Sequence, residues 1–366
     1  MQIKSIKRIN KLPVFDITVE KAHNFFCTDS KILIHNSGKS TLALEATKSF
    51  TNYWDKKKEK NVVLWIETES ALDKVRAKWI GCNVEKFLIS EVETVEDGFD
   101  VISATLKKCV EKKIKLFIVW DTIAAAPTKN EKDKGPWGGG ISEKSRVIRA
   151  ALRNITGDLG KSDATLILVN QMYHGIGMFA TDESPGGGGI KFHSSVRSKL
   201  KKTQDIQQVM PNGETKILGI KTEITHVKNK LTLPRQQVLL SIQGETGLDR
   251  LDTCLNFLKT AKIINSKGGG WVTLEIPDTK GKNMPVKFQG VKGLKDTVEQ
   301  NPRAKDWIDY LIYQHSTKSS PFIKLKIIDK VWEYEKMFFK ETKTELTERE
   351  VEIAKLIHKD LIKDTK

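Results

Sequence analysis

The run Ser37-Gly38-Lys39-Ser40-Thr41 is the second half of a phosphate-binding loop, G-x-x-x-x-G-K-[ST], and it constrains everything downstream of it. A Gly-Lys-Ser run that opens an amphipathic helix belongs to a strand–loop–helix unit of a parallel α/β sheet. The helix reads from Thr41 to about Tyr53, with Leu42, Leu44, Ala46 and Phe50 among its apolar positions. Strands follow at Asn61–Ile66, of the buried type, at Phe87–Ile89, a short one, at Leu116–Asp121, another core strand, and at Thr165–Val169, separated by helical stretches near 71–80, 95–111 and 142–159. Three of these strands end on polar groups: Glu67 and Glu69, Asp121, and Asn170-Gln171. Open parallel sheets bind ligands beyond the carboxyl ends of their strands.

The loop's opening glycine should lie at position 33, where the chain has Leu33 in Ile32-Leu33-Ile34-His35-Asn36. An apolar β-type segment cannot form the glycine-rich nest of N–H groups that cradles phosphate. The residues at this junction carry a different chemistry. Ser37 supplies a hydroxyl able to accept an acyl group. The Asn36 side-chain amide can reach its own carbonyl carbon, close an imide and cut the Asn36–Ser37 bond. His35 stands beside that bond and His23 is a second proton donor or acceptor. Val14–Glu20, His23-Asn24-Phe25-Phe26 and Ile32–Asn36 before Ser37 resemble the C-terminal end of an intein. The resemblance implies a short all-β fragment over 1–36, with His23 and Asp16 assisting the steps around cyclisation. The N-terminal intein blocks are absent from this segment. The expectation is a split intein, whose separately encoded partner brings the upstream half and leaves Ser37 completing a G-x-x-x-S-G-K-S loop by trans-splicing.

The 366 residues suffice for one large α/β core with satellites, and the net charge of +16 is spread along the chain. Cys27, Cys82, Cys109 and Cys254 have neither metal-ligand nor disulfide-framework spacing and read as free thiols in a reducing compartment. Without a signal peptide or a run of 18 apolar residues, the protein is expected to be soluble and intracellular.

For a nucleotide site, Lys39 would bridge the β- and γ-phosphates and Ser40 would hold Mg²⁺, with the backbone of Gly38–Thr41 opening the helix. Asp121 is the expected Walker-B carboxylate, Glu69 the base that orients water, and Gln171 the sensor of the γ-phosphate. The ordered set Ile66-Glu67-Thr68-Glu69-Ser70-Ala71-Leu72-Asp73, Asp121–Ala125, Val169-Asn170-Gln171, Gly186–Arg197 and Val227-Lys228-Asn229-Lys230 resembles the RecA recombinase family in its bacterial and phage branches. That resemblance spans about 37–250. It implies that Glu69 is catalytic and that Gln171 switches between nucleotide and DNA. It makes Phe192 the relay at the protomer interface, and has Lys228 and Lys230 reach ATP on the neighbouring protomer. Arg76 stands where the family often has a base-stacking Tyr, and a guanidinium plane can stack as well. Asp73 is a candidate for the adenine amino group.

Two loops, 127–141 and 172–190, follow nucleotide-sensing strands and read as flexible. The first carries Lys129, Lys132, Lys134 and Trp137; the second carries Met172, Tyr173, His174, Met178 and Phe179, with Lys191, Arg197 and Lys199 at its exit. Lysines suit phosphates, while aromatic and Met side chains suit bases. Strands are expected at 192–200, 217–227 and 236–243. The organisation expected is an intein fragment at 1–36, a RecA-like core at 37–248, a small α+β domain at 249–330 and a charged helical extension at 331–366. The resemblance implies an ATP- and Mg²⁺-dependent strand-exchange protein that forms a homo-oligomeric filament on single-stranded DNA, meets duplex DNA, and needs its N-terminal partner. A hexameric helicase and a non-catalytic DNA-binding mediator are the rival readings.

Overall fold

The computed structural model describes residues 37–69, 72–135, 141–162, 164–171, 187–230, 235–266, 268–278, 282–319, 321–339, 342–348 and 351. The intein-like segment therefore lies outside the described residues, as do Trp137, Met172, Tyr173, His174, Met178 and Phe179.

A parallel sheet of order β2-β1-β3-β4 carries the site, built from β1 (Asn61–Glu67), β2 (Phe87–Glu91), β3 (Lys115–Asp121) and β4 (Thr165–Leu168). Its two inner strands are apolar at successive positions because both faces are covered. Leu64, Ile66, Ile118 and Trp120 point into one cluster with α3 (Val95–Glu111) and α5 (Ile141–Lys161). The alternate residues Val63, Trp65, Phe117 and Val119 point into another, with α1 (Lys39–Lys56) and α2 (Lys74–Ile80). This is the period-two alternation of a strand read on two buried faces.

Helix α4 (Lys129–Lys134) occupies part of the segment expected to be a flexible loop. Thr128 and Glu131 form a reciprocal capping box, and Asn130 Nδ2 donates to both carboxylate oxygens of Glu143 at 2.9 and 2.8 Å. Lys144 Nζ also donates to the Ala124 carbonyl at 2.6 Å, so this stretch is seated on α5. Helix α6 (Gly187–His193) takes up residues expected as loop and strand; the strand that follows, β5 (Val196–Val209), begins later and runs further than expected. A Cβ on Gly189 would lie 3.0 Å from the Arg149 Cα and 3.3 Å from its backbone nitrogen, so this glycine lets α6 lie close on α5.

Strand β5 pairs with β6 (Thr215–Asn229), β6 with β7 (Gln237–Gln243), and β7 with β8 (Gly247–Leu248), in a separate antiparallel sheet. Ile220, Leu240 and Ile242 of that sheet pack with Leu42 of α1. Beyond it, α7 (Arg250–Thr260), the small sheet of β9 (Asn265–Ser266), β10 (Trp271–Pro277) and β11 (Asn283–Gln289), and helices α8 (Gly290–Gln300), α9 (Pro302–Ser319) and α10 (Pro321–Phe338) build a second core. Val331 and Phe338, expected in a charged extension, are buried in that core. Residues 342–347 carry no helix, because Glu335 gathers the backbone N–H groups of Lys343 and Thr344 at 2.8 and 3.0 Å.

Candidate functional site

Gly38 stands at the N-terminus of α1 with φ of +78°, a left-handed conformation that glycine adopts without steric cost. It also lies against the antiparallel sheet: a Cβ there would fall 2.4 Å from Ile242 Cδ1. The first turn of α1 thus presents its unpaired N–H groups and the Lys39 ammonium at one point, the arrangement that attracts anions. Burial pulls the Lys39 ammonium below its ordinary range, and Asp121 and Glu69 draw it back up. Lys39 Nζ donates to Ser37 Oγ at 3.2 Å.

The carboxylates come from neighbouring strand ends. Glu67 and Asp121 are register partners across β1 and β3. Glu67 is not a second candidate base. It is 4 % exposed and accepts from Trp65 Nε1 at 2.5 Å and from the Leu72 N–H at 3.2 Å. Glu69 is exposed, and its Oε1 accepts from Gln171 Nε2 at 3.2 Å and Thr122 Oγ1 at 3.3 Å. The structure therefore brings Glu69 and Gln171 into direct contact, 102 residues apart in sequence. Thr68 and Thr122, absent from the sequence-based set, complete this cluster; the only signal that pointed to them was adjacency to Glu69 and Asp121.

Arg76 is embedded instead of standing as an open stacking plane. Its Nη2 donates to Thr41 Oγ1 at 2.6 Å and its Nε to the Gly244 carbonyl at 3.2 Å, which ties α2 to α1 and to the β7–β8 turn. Burial lowers its pKa, with Asp73 opposing. Asp73 caps α2, its Oδ1 accepting from the Val75 and Arg76 N–H groups.

Phe192 is 77 % exposed on α6, with its ring edge-on to His193. Lys228 Nζ donates to the carbonyls of Lys191 and Phe192 at 2.7 and 2.9 Å and so caps the same helix. Lys230 follows at the end of β6, its N–H bonded to the Ser195 carbonyl at 3.0 Å. Of the basic side chains, Lys129 pairs with Asp97 at 3.1 Å and Lys132 pairs with Glu93. Arg197 and Lys199 lie on β5 opposite Lys228 and Thr225 of β6, and Lys134 and Lys191 are exposed on α4 and α6. Among the described residues no group of three or more His, Cys, Asp or Glu side chains gathers at metal-binding distance, and no helix is long and apolar enough to cross a membrane.

A doubly covered parallel sheet, with a Gly-Lys-Ser helix start facing strand-end carboxylates, defines an α/β core of the P-loop type. The model of the RecA N-terminal domain matches residues 32–249. Among curated proteins, the chain is 31 % identical to Protein RecA of Clostridioides difficile over 268 residues, covering 73 % of this chain and 70 % of the relative. It is 29 % identical to Protein RecA of Halalkalibacterium halodurans over 282 residues, covering 76 % and 74 %. Protein RecA of Mycoplasma mobile is 29 % identical over 268 residues, covering 73 % and 74 %. The chain belongs to the RecA family of recombinases.

Proposed function

We propose that this chain, once its phosphate loop is complete, is a DNA-dependent ATPase that forms filaments on single-stranded DNA and catalyses homologous pairing and strand exchange. The observation that carries the reading is the convergence of Lys39, Asp121, Glu69 and Gln171 at the N-terminus of α1. The donor set fits the cofactor: Mg²⁺ takes one or two protein oxygens and leaves the rest to phosphate and water, which Ser40 and Asp121 satisfy. Bound Mg²⁺ would neutralise charge on the β- and γ-phosphates. Lys39 and the helix N-terminus hold the phosphate chain, Glu69 orients and deprotonates the attacking water, and Gln171 senses the γ-phosphate. The exposure of Phe192 and the position of Lys228 and Lys230 beside it support a protomer interface there, at which both lysines would complete a neighbouring site.

DNA contact falls to Lys134, Lys191, Arg197 and Lys199, with Trp137, Met172, Tyr173, His174, Met178 and Phe179 as base-stacking candidates. Lys129 and Lys132 would exchange Asp97 and Glu93 for phosphate, which costs little because exposed ion pairs are weak. A core at 37–248 and a second domain from 249 organise these parts.

Residues 1–36 act, in this reading, as an intein C-terminal fragment. The support is His35-Asn36-Ser37 standing where the phosphate loop breaks, with Leu33 in place of its glycine. Ser37 Oγ gives up its proton and attacks the upstream acyl carbon, which is carried as an ester or thioester on the first nucleophile of the partner's intein half. That nucleophile leaves as its protonated hydroxyl or thiol, and Ser37 holds the acyl group as an ester. The Asn36 side-chain nitrogen attacks the Asn36 carbonyl carbon and the Ser37 nitrogen leaves as an amine, which then captures the acyl group to form a peptide. The joined loop reads G-x-x-x-S-G-K-S.

The test mixes the chain with a candidate N-terminal half, weighs the ligated product, and measures ATP turnover with and without single-stranded DNA. The expected result is a product lacking residues 1–36 whose turnover rises with DNA. Asn36→Ala should block release of that segment, and continued release overturns the cyclisation step. Duplex unwinding with directional translocation, in place of strand exchange, would favour the helicase reading; full turnover by unjoined chain would remove the splicing reading.

A further inference from the structure

Two threonines just past the ends of β1 and β3 hold each other and the carboxylate beside them. Glu67 and Asp121 are the last paired residues of these strands, so Thr68 and Thr122 come abreast where the ladder has ended. Thr68 Oγ1 donates to the Thr122 carbonyl at 2.6 Å and accepts from the Thr122 N–H at 3.1 Å. A hydroxyl can both donate and accept, whereas a valine of the same shape does neither. The clasp replaces one rung of sheet pairing with a side chain.

Thr122 is 5 % exposed, so its own hydroxyl is a fixed point. That hydroxyl donates to Glu69 Oε1 at 3.3 Å, and Glu69 is an exposed side chain on three rotatable bonds. Gln171 donates to the same oxygen at 3.2 Å from the end of β4. Both donors meet Oε1, and no hydrogen bond to Oε2 forms among the described residues. We infer that Thr122, held by Thr68, is a positioning residue for hydrolysis: it fixes the Glu69 carboxylate so that one oxygen is anchored and the other takes the proton. The inference rests on Glu69 being the base.

Two measurements test it. In the full 366-residue chain, Thr68→Val should speed amide exchange at Thr122 by about 10-fold or more, because its hydrogen-bond acceptor is gone; unchanged exchange overturns the clasp. Turnover is read on the joined product, or on the same chain with an upstream recombinase segment encoded in place of residues 1–36. Thr122→Val should lower kcat by about 10- to 100-fold, the usual cost of a misplaced catalytic group, with KM for ATP within about twofold. Thr122→Ser should restore most of the loss, and Thr122→Val should add nothing to Glu69→Gln. Parental kcat in Thr122→Val, a loss confined to KM, or failure of the serine variant to rescue overturns the positioning role. Turnover that survives Glu69→Gln overturns the assignment of Glu69 itself, a result distinguishable from the others.

Discussion

Replacing Gly38 with alanine separates two costs that the structure places on one atom. Forcing a residue with a Cβ to keep φ of +78° costs about 1–2 kcal/mol. The new methyl also meets Ile242 Cδ1 at 2.4 Å, and relieving such overpacking costs about 1–3 kcal/mol. The single substitution should therefore destabilise by about 2–5 kcal/mol. Ile242→Val deletes the methyl in the way, at its own cost of about 0.5–1.5 kcal/mol. In that background Gly38→Ala retains the backbone cost alone, so the double-mutant cycle should show a coupling of about 1–3 kcal/mol favouring the double variant. The assay is urea unfolding of the full chain followed by tryptophan fluorescence, because Trp65 and Trp120 are buried in the central sheet and report on this core. A cycle that closes to within about 0.5 kcal/mol would mean that the two sites act independently, and the packing of phosphate loop on antiparallel sheet would be refuted.

The two glutamates at the end of β1 should behave oppositely. Glu69→Gln should abolish turnover of the joined product and leave the urea midpoint unchanged, whereas Glu67→Gln should lower the unfolding free energy by about 1–3 kcal/mol, since the buried Trp65 donor and the part-buried Leu72 N–H depend on it. Equal stability of both variants would count against this division. Truncating Lys134 or Arg197 to alanine should weaken single-stranded DNA binding and lower the slope of log K against log salt by about 0.7 for each phosphate no longer neutralised. A slope unchanged in both variants rules these residues out as phosphate ligands. Burial pushes the Cys82 and Cys254 thiols up to about 11, so at pH 8 almost none of either is thiolate. Both should react with a disulfide reagent far more slowly in the native chain than in urea, and the native rate should climb as pH rises toward 10; fast native labelling at pH 8 contradicts the burial.

The parallel sheet was readable because its two inner strands bury both faces and carry no polar residue between their ends. The proposed site residues Lys39, Glu69, Asp121 and Gln171 became candidates for a related reason: each lies within three residues of a glycine or of the end of an apolar run. Other elements were not. The glycines from 135 to 140 coloured the whole preceding stretch as loop, although Thr128 and Glu131 already carried the capping-box spacing of α4. The four glycines before Ile190 argued against a helix on propensity; α6 forms because Gly189 allows close approach to α5, a tertiary effect that propensity cannot anticipate. Glu67 and Glu69 have the same strand parity, so alternation could not tell the structural carboxylate from the exposed one. Thr68 and Thr122 acquire meaning only from the register of β1 against β3, which no local pattern encodes.

Lys228 is the residue whose two readings are most sharply opposed. Within one protomer it is a helix cap, with its ammonium on the carbonyls of Lys191 and Phe192. As the lysine that reaches a neighbour's phosphate, it would have to leave those carbonyls, because three donors on one ammonium cannot span both places at once. Binding across the interface would then loosen the C-terminal turn of α6 and free Phe192, which is the physical content of a relay. The Lys230 ammonium makes no such cap among the described residues, and burial together with the Lys230 charge already lowers the Lys228 pKa. The two lysines should therefore separate on substitution. Lys228→Met should speed hydrogen exchange through 190–194 in the unassembled chain and also reduce DNA-stimulated turnover of the joined product. Lys230→Met should reduce turnover and leave that exchange untouched. Identical exchange in the two variants would show that the cap holds nothing in place, and the relay would have to be sought elsewhere than in the C-terminal turn of α6.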